Sequence, residues 1–139
     1  MIYPDNFENK IQFNEIRSLL KGYCLSQLGK DKVDDMAFTS DAERINTALS
    51  QTREFRRMQE EADDFPLQFF FDMRASIKRI RIEGTHLEEN EIFDLRRSLE
   101  TISGIVKFLN RSDDDGNYDY PTLHALTEDV LTFPDLIRR

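Results

Sequence analysis

The residues best placed to do chemistry lie in Ile77-Lys78-Arg79-Ile80-Arg81, where three cations fall within five positions. With Arg74 upstream, a helix here puts Arg74, Lys78 and Arg81 on one face at i, i+4 and i+7, beside an apolar seam. Such a row can track the phosphates of a nucleic-acid backbone, or pair with acids on a neighbouring helix. A solvated or salt-bridged face is the more ordinary outcome in an acidic chain. The three are carried forward as candidate nucleic-acid contacts. Beyond Gly84 the sign reverses: Glu88, Glu89 and Glu91 suit the first turn of a following helix, where carboxylates complement the N-terminal dipole.

No other cluster supports catalysis. Asp113-Asp114-Asp115-Gly116-Asn117 suggests a calcium loop, but with Gly116 as the sixth position the first is Arg111 and the twelfth Thr122, so both essential acids are missing. His86 and His124 have no neighbouring His or Cys at zinc spacing. The chain lacks a Gly-x-x-x-x-Gly-Lys-Ser/Thr phosphate loop and a Gly-x-Ser-x-Gly elbow. Cys24, the one cysteine, is expected on the apolar face of a helix as a packed thiol. The expectation is no catalytic residue, no metal site and no cofactor site.

The elements that position the basic run follow from periodicity. Phe7, Ile11, Ile16, Leu19, Leu20, Tyr23 and Leu28 recur at helical spacing up to Gly29, which predicts a first helix, preceded by a Pro4-Asp5-Asn6 turn offering an Asp or Asn cap. A short turn over Lys32–Met36 follows. Ser40 and Glu43 have capping-box spacing for a second helix with a buried stripe of Ile45, Ala48, Leu49, Thr52, Phe55 and Met58, ending before Pro66. Phe70, Met73, Ile77 and Ile80 form the seam of a third helix. Ile92, Leu95, Leu99, Ile102, Val106 and Leu109 form that of a fourth, giving an antiparallel pair around Gly84. Thr85 with Glu88 matches a second capping box, and Glu88 itself is an alternative cap. Ser112–Asn117 is a polar loop; short helical turns follow around Leu123, Leu126, Val130 and Leu131, and Phe133-Pro134 opens another element.

Composition agrees with one all-α domain over residues 1–139, an antiparallel bundle of about four main helices plus short C-terminal turns. The 139 residues are 33% charged, with 5 Gly, 4 Pro and no Trp. A net charge of -8 excludes a protein devoted to wrapping DNA, so any nucleic-acid face must be local. No run approaches the roughly 18 apolar residues of a membrane span, and a lone cysteine suits a reducing, cytoplasmic setting.

Taken together, FENKIQFNEIRSLLKGYCLSQLGKDKV, SDAERINTALSQTREF and DMRASIKRIRIEGTHLEENEIFDLRRSLETI resemble the N-terminal region of the second-type bacterial MutS proteins, the branch without mismatch-reading domains. Leu28-Gly29 and Gly84-Thr85-His86-Leu87 before an acidic helix carry the pattern. The resemblance implies a helical core leading, in the whole protein, through a lever and clamp to an ATPase domain that uses ATP and Mg, often with a small nuclease domain after it. It also implies branched or recombining DNA, or collided ribosomes, as partners, and a homodimer. None of the family's ATP-site or nuclease residues has a counterpart here, so the chain is expected to be a truncated, catalytically inert piece with a mechanical role. The alternative is a free-standing helical module that binds a partner protein, for which the heptad-like seams are the support. In either case uncovered apolar stripes predict self-association.

Overall fold

The computed structural model describes residues 6–138, and these divide into two compact units, Met1–Phe38 and Thr39–Arg139. All regular structure among the described residues is helical, apart from an isolated antiparallel bridge between Ser112 and Tyr118. Among the described residues no helix is long and apolar enough to cross a membrane. The all-α expectation holds.

The first unit departs from the expected single helix. It contains α1 (Phe7–Lys10), α2 (Phe13–Tyr23) and α3 (Gln27–Asp34). Gln12 turns into the left-handed region at φ 59, and Cys24 is extended, so the chain bends twice where periodicity alone ran straight on. Ser26 restarts the helix by accepting the Gly29 N–H on its hydroxyl at 3.2 Å. Gly29 therefore lies inside α3 rather than closing a helix. A Cβ there would meet Cys24 Cβ at 3.4 Å, an ordinary packing contact, so this position does not demand glycine. Cys24 is not within a helix either: it follows α2, half-buried, with its thiol donating to the Leu20 carbonyl at 3.3 Å. Arg17 ties the unit together, donating to both Glu8 oxygens at 2.6 and 3.1 Å and to the Met36 carbonyl, with its guanidinium 5.0 Å from the Phe13 ring centre. Asn6 occupies the cap position of α1 without a side-chain bond, and Pro4 and Asp5 lie outside the described residues.

In the second unit, α4 (Ala42–Glu61) starts on Asp41, whose carboxylate accepts the Glu43 and Arg44 N–H groups at 3.0 and 3.2 Å. That replaces the expected Ser40–Glu43 box, because Asp41 stands one residue nearer the helix and brings a full charge to its dipole. Only the C-terminal half of the expected stripe is covered. Met58 is fully buried and Phe55 packs against it, whereas Ile45 and Leu49 are exposed. The core is Met58 with Phe108, Leu109, Tyr120 and Leu123, flanked by Phe65 and Ile105. Edge-to-face contacts of Phe65 with Phe55 and Phe108 close its border.

The third predicted helix forms only over its second half. Residues 62–73 have no regular structure, and only α5 (Arg74–Arg79) is helical before the turn at Gly84, whose φ is +82. Pro66 disfavours helix just upstream, and Phe69 sits at φ 61 with its ring stacked against Phe71 at 6.3 Å. The antiparallel course survives in another form. The segment runs back along α6 (Glu89–Leu109): Pro66 lies beside Gly104, the Gln68 carbonyl accepts the Thr101 hydroxyl at 2.7 Å, and the Ser76 hydroxyl reaches Glu91 at 2.6 Å. Gly104 eases this approach, since a Cβ there would meet the Pro66 ring at 3.2 Å and the ring would have to shift by a few tenths of an ångström.

The capping of α6 is also decided. Glu88 is the cap and the Glu91 carboxylate accepts its N–H at 2.9 Å, while the Thr85 hydroxyl is shared between the Arg79 and Ile82 carbonyls. The loop after α6 is closed by Asp113, whose carboxylate takes the Asp115 and Asn117 N–H groups at 3.0 and 2.8 Å. Then α7 (Pro121–His124) lays Leu123 on the core. Its first N–H groups, those of Thr122 and Leu123, are taken by the Glu54 carboxylate at 3.1 and 2.9 Å. A 3₁₀ turn over Ala125–Thr127 and α8 (Pro134–Arg138), packed against α6, complete the unit where short turns were expected.

Candidate nucleic-acid interface

The three candidate cations do not share one helix face. Arg74 opens α5 and Lys78 lies within it, but the helix ends at Arg79, so Arg81 falls in the following turn. The reason is local: Thr85 and the Gly84 turn draw the Arg79 and Ile82 carbonyls away from helical partners. Residues 79–82, where arginine and isoleucine alternate, form no strand.

Their electrostatic settings differ. The Arg74 guanidinium donates to Asp72 at 2.8 and 2.6 Å, and Asp72 also accepts the Arg74 backbone N–H. These bonds, the side-chain ones foremost, hold the Asp72 carboxyl down at about 2. Arg79 pairs with Glu91, the acid that also takes the Ser76 hydroxyl and the Glu88 N–H. The Ser76 bond is the largest cause of a Glu91 pKa below its ordinary value, with Glu88 and Arg79 adding to it. One carboxylate thus caps α6 and fastens α5 beside it. Lys78 and Arg81 are exposed and make no ion pair or hydrogen bond with any described residue. They are the open charges of this end.

A second concentration of charge is already occupied by itself. An open cleft of about 690 Å³ is lined by Arg57, Arg111, Tyr120 and acids that include Asp64. Arg111 is paired with both Asp64 oxygens and lies over the Phe108 ring, and Arg57 lies over Tyr120 and donates to the Asp119 carbonyl. The Arg111 guanidinium holds the Asp64 carboxyl below its usual range, as expected of a paired acid. His124 is likewise engaged, stacked on Tyr118 at 3.6 Å and bonded to Asn110 at 3.0 Å. Among the described residues no group of His, Cys, Asp and Glu is arranged to hold a metal.

Sequence reasoning passed over Arg97. Its guanidinium lies 4.3 Å from the Phe93 ring centre and 4.5 Å from that of Phe69. The i, i+4 spacing of Phe93 and Arg97 was a signal in the sequence. Phe69 was not, because only the antiparallel path of residues 62–73 brings it there.

Comparison with known proteins gives a consistent set of relatives. Endonuclease MutS2 of Levilactobacillus brevis and that of Bacillus cereus are each 26% identical to this chain over 129 residues, 93% of its length. Endonuclease MutS2 of Bacillus thuringiensis is 25% identical over the same span. The chain covers 16% of the length of each of these relatives. No family model and no solved structure matches. The resemblance to second-type MutS proteins therefore extends over nearly the whole chain.

Proposed function

We propose that this chain is the helical core part of a MutS2-type protein working in DNA repair or recombination control in the cytoplasm. Its role is mechanical: packed helices relay the nucleotide state of an ATPase to a nucleic-acid clamp. The observation that carries the reading is the similarity to endonuclease MutS2 over 93% of the chain. ATP and Mg would be bound outside this region, since no phosphate loop is present in it. Nuclease and ribosome-rescue activities likewise belong to the whole protein in this reading.

Within the chain, the end of α5 is the nucleic-acid face, with Lys78 and Arg81 as open charges and Arg74 held by Asp72. Gel shift with branched and linear DNA tests it. Replacing Arg74, Lys78 and Arg81 with alanine should weaken binding of all sequences and flatten its salt dependence by about one unit for each phosphate no longer neutralised. Binding that is unchanged in strength and salt slope removes these residues from the interface.

One feature favours a protein-facing role as well. Ile92, Phe93 and Leu136 are more than half exposed along α6 and α8. Apolar side chains exposed together in this way support homodimerisation or a partner helix.

A further inference from the structure

We infer that Arg97, packed against the rings of Phe69 and Phe93, is a phosphate-binding fork for single-stranded nucleic acid; this rests on the nucleic-acid reading above. A guanidinium has two kinds of contact surface. Its flat faces stack on aromatic rings, and its edge carries five N–H donors that match two oxygens of a phosphate. In this structure two rings hold the guanidinium, Phe93 at 4.3 Å and Phe69 at 4.5 Å. Its donors are not used. Arg97 makes no hydrogen bond or ion pair with any described residue, although its helix neighbour Arg96 is paired with Glu100 at 3.1 Å. Nor does Asp94, one turn away, form a salt bridge with it. The result is a cation with fixed orientation and vacant donors, so little rotamer freedom is lost when an oxyanion binds.

The clamp is held at a cost. Phe69 reaches Arg97 from a left-handed backbone, φ 61, a conformation that bulky side chains disfavour. Phe71 stacks on Phe69, and Thr101 fixes the neighbouring Gln68 carbonyl to α6. A lone structural arginine does not require this arrangement. Phosphate is favoured over a protein carboxylate by what flanks the fork. Phe69 and Phe93 remain 42% and 51% exposed, offering ring surface for bases next to the backbone phosphate, as in sequence-tolerant single-strand sites. The open charges Lys78, within α5, and Arg81, in the turn after it, follow Phe69 in the chain towards the N-terminal end of α6.

The test is fluorescence anisotropy of the full chain with a labelled single-stranded oligonucleotide, against an oligo-glutamate peptide of similar charge. Arg97→Gln should weaken oligonucleotide binding roughly tenfold and lower the salt slope by about one. Arg97→Lys should weaken it nearly as much, because an ammonium keeps the charge but not the fork. Phe93→Leu, which removes the ring and keeps an apolar residue, should give a smaller loss. Circular dichroism spectra and melting temperatures matching the parent chain ensure that folding is not the cause. If Arg97→Lys and Arg97→Gln bind as the parent does, the fork is refuted and the α5 face stands. If the peptide binds in an Arg97-dependent way and no oligonucleotide does, the assignment to nucleic acid is refuted. If neither ligand binds the parent chain, the nucleic-acid reading falls with it.

Discussion

Replacing Met58 with alanine should cost this protein about 3 kcal/mol, from the typical 2–5 kcal/mol for a buried large-to-small change. Met58 is 0% exposed and sits among Phe108, Leu109, Tyr120 and Leu123, a core with few other members. The cavity has little chance to collapse, because Phe55 and Phe65 are already fixed by edge-to-face contacts on its border. Leu49 provides the comparison. It lies on the same predicted stripe of the same helix but is 47% exposed, so Leu49→Ala should change stability by about 0.5 kcal/mol or less. Urea unfolding followed by circular dichroism, at low protein concentration, separates the two. For a unit of this size the Met58 change should lower the melting temperature by roughly 10 °C or more. Equal losses at the two positions would refute the reasoning, since they would mean that the N-terminal half of α4 is as well packed as its C-terminal half.

Other perturbations follow from the same geometry. Glu54→Ala removes the acceptor of the Thr122 and Leu123 N–H groups and should cost about 1 kcal/mol, read by the same unfolding assay, whereas a Glu54→Asp change that costs nothing would argue against a geometric cap. Glu91 and Asp72 have folded pKa values below their ordinary ones, so their stabilising contribution is present above about pH 4 and is lost as pH falls through the folded values, near 2 for Asp72. Glu91→Gln should therefore flatten the acid limb of a stability-versus-pH curve; an unaltered limb would show that α5 is not fastened this way. Gly104→Ala sets the contact of its Cβ with the Pro66 ring at 3.2 Å against a helix-propensity gain of about 1 kcal/mol; the contact should cancel that gain, and a full gain in stability would show that Pro66 gives way freely. Sedimentation over a range of concentrations should reveal self-association driven by exposed residues such as Ile92 and Phe93, and a monomer throughout would rule it out.

Much of the architecture was legible in the residues. Period-3.6 patterning located α4 and α6, because each helix is long enough for its apolar stripe to outweigh local exceptions. The turn at Gly84 and the short elements after Tyr120 were also legible, since glycine at positive φ and proline at a first helical position act through the backbone alone. Errors arose where short-range periodicity was extended across a break. Gln12 and Cys24 leave the helical region without any glycine or proline to announce it. The seam from Phe70 to Ile80 has the right spacing for a helix, yet Pro66, Phe69 and the contacts with α6 keep its first residues, 70–73, out of the helix that starts at Arg74.

The sequence by itself determined the helical class, the two long helices and the acidic surface with one basic run, because these depend on side-chain period and charge that each residue carries wherever it goes. Only the tertiary structure decided which half of α4 is buried, that Glu91 serves both α5 and α6, and that Phe69 reaches Arg97. Those are meetings between residues far apart in the chain, and their energy exists only once the backbone between them has taken its path.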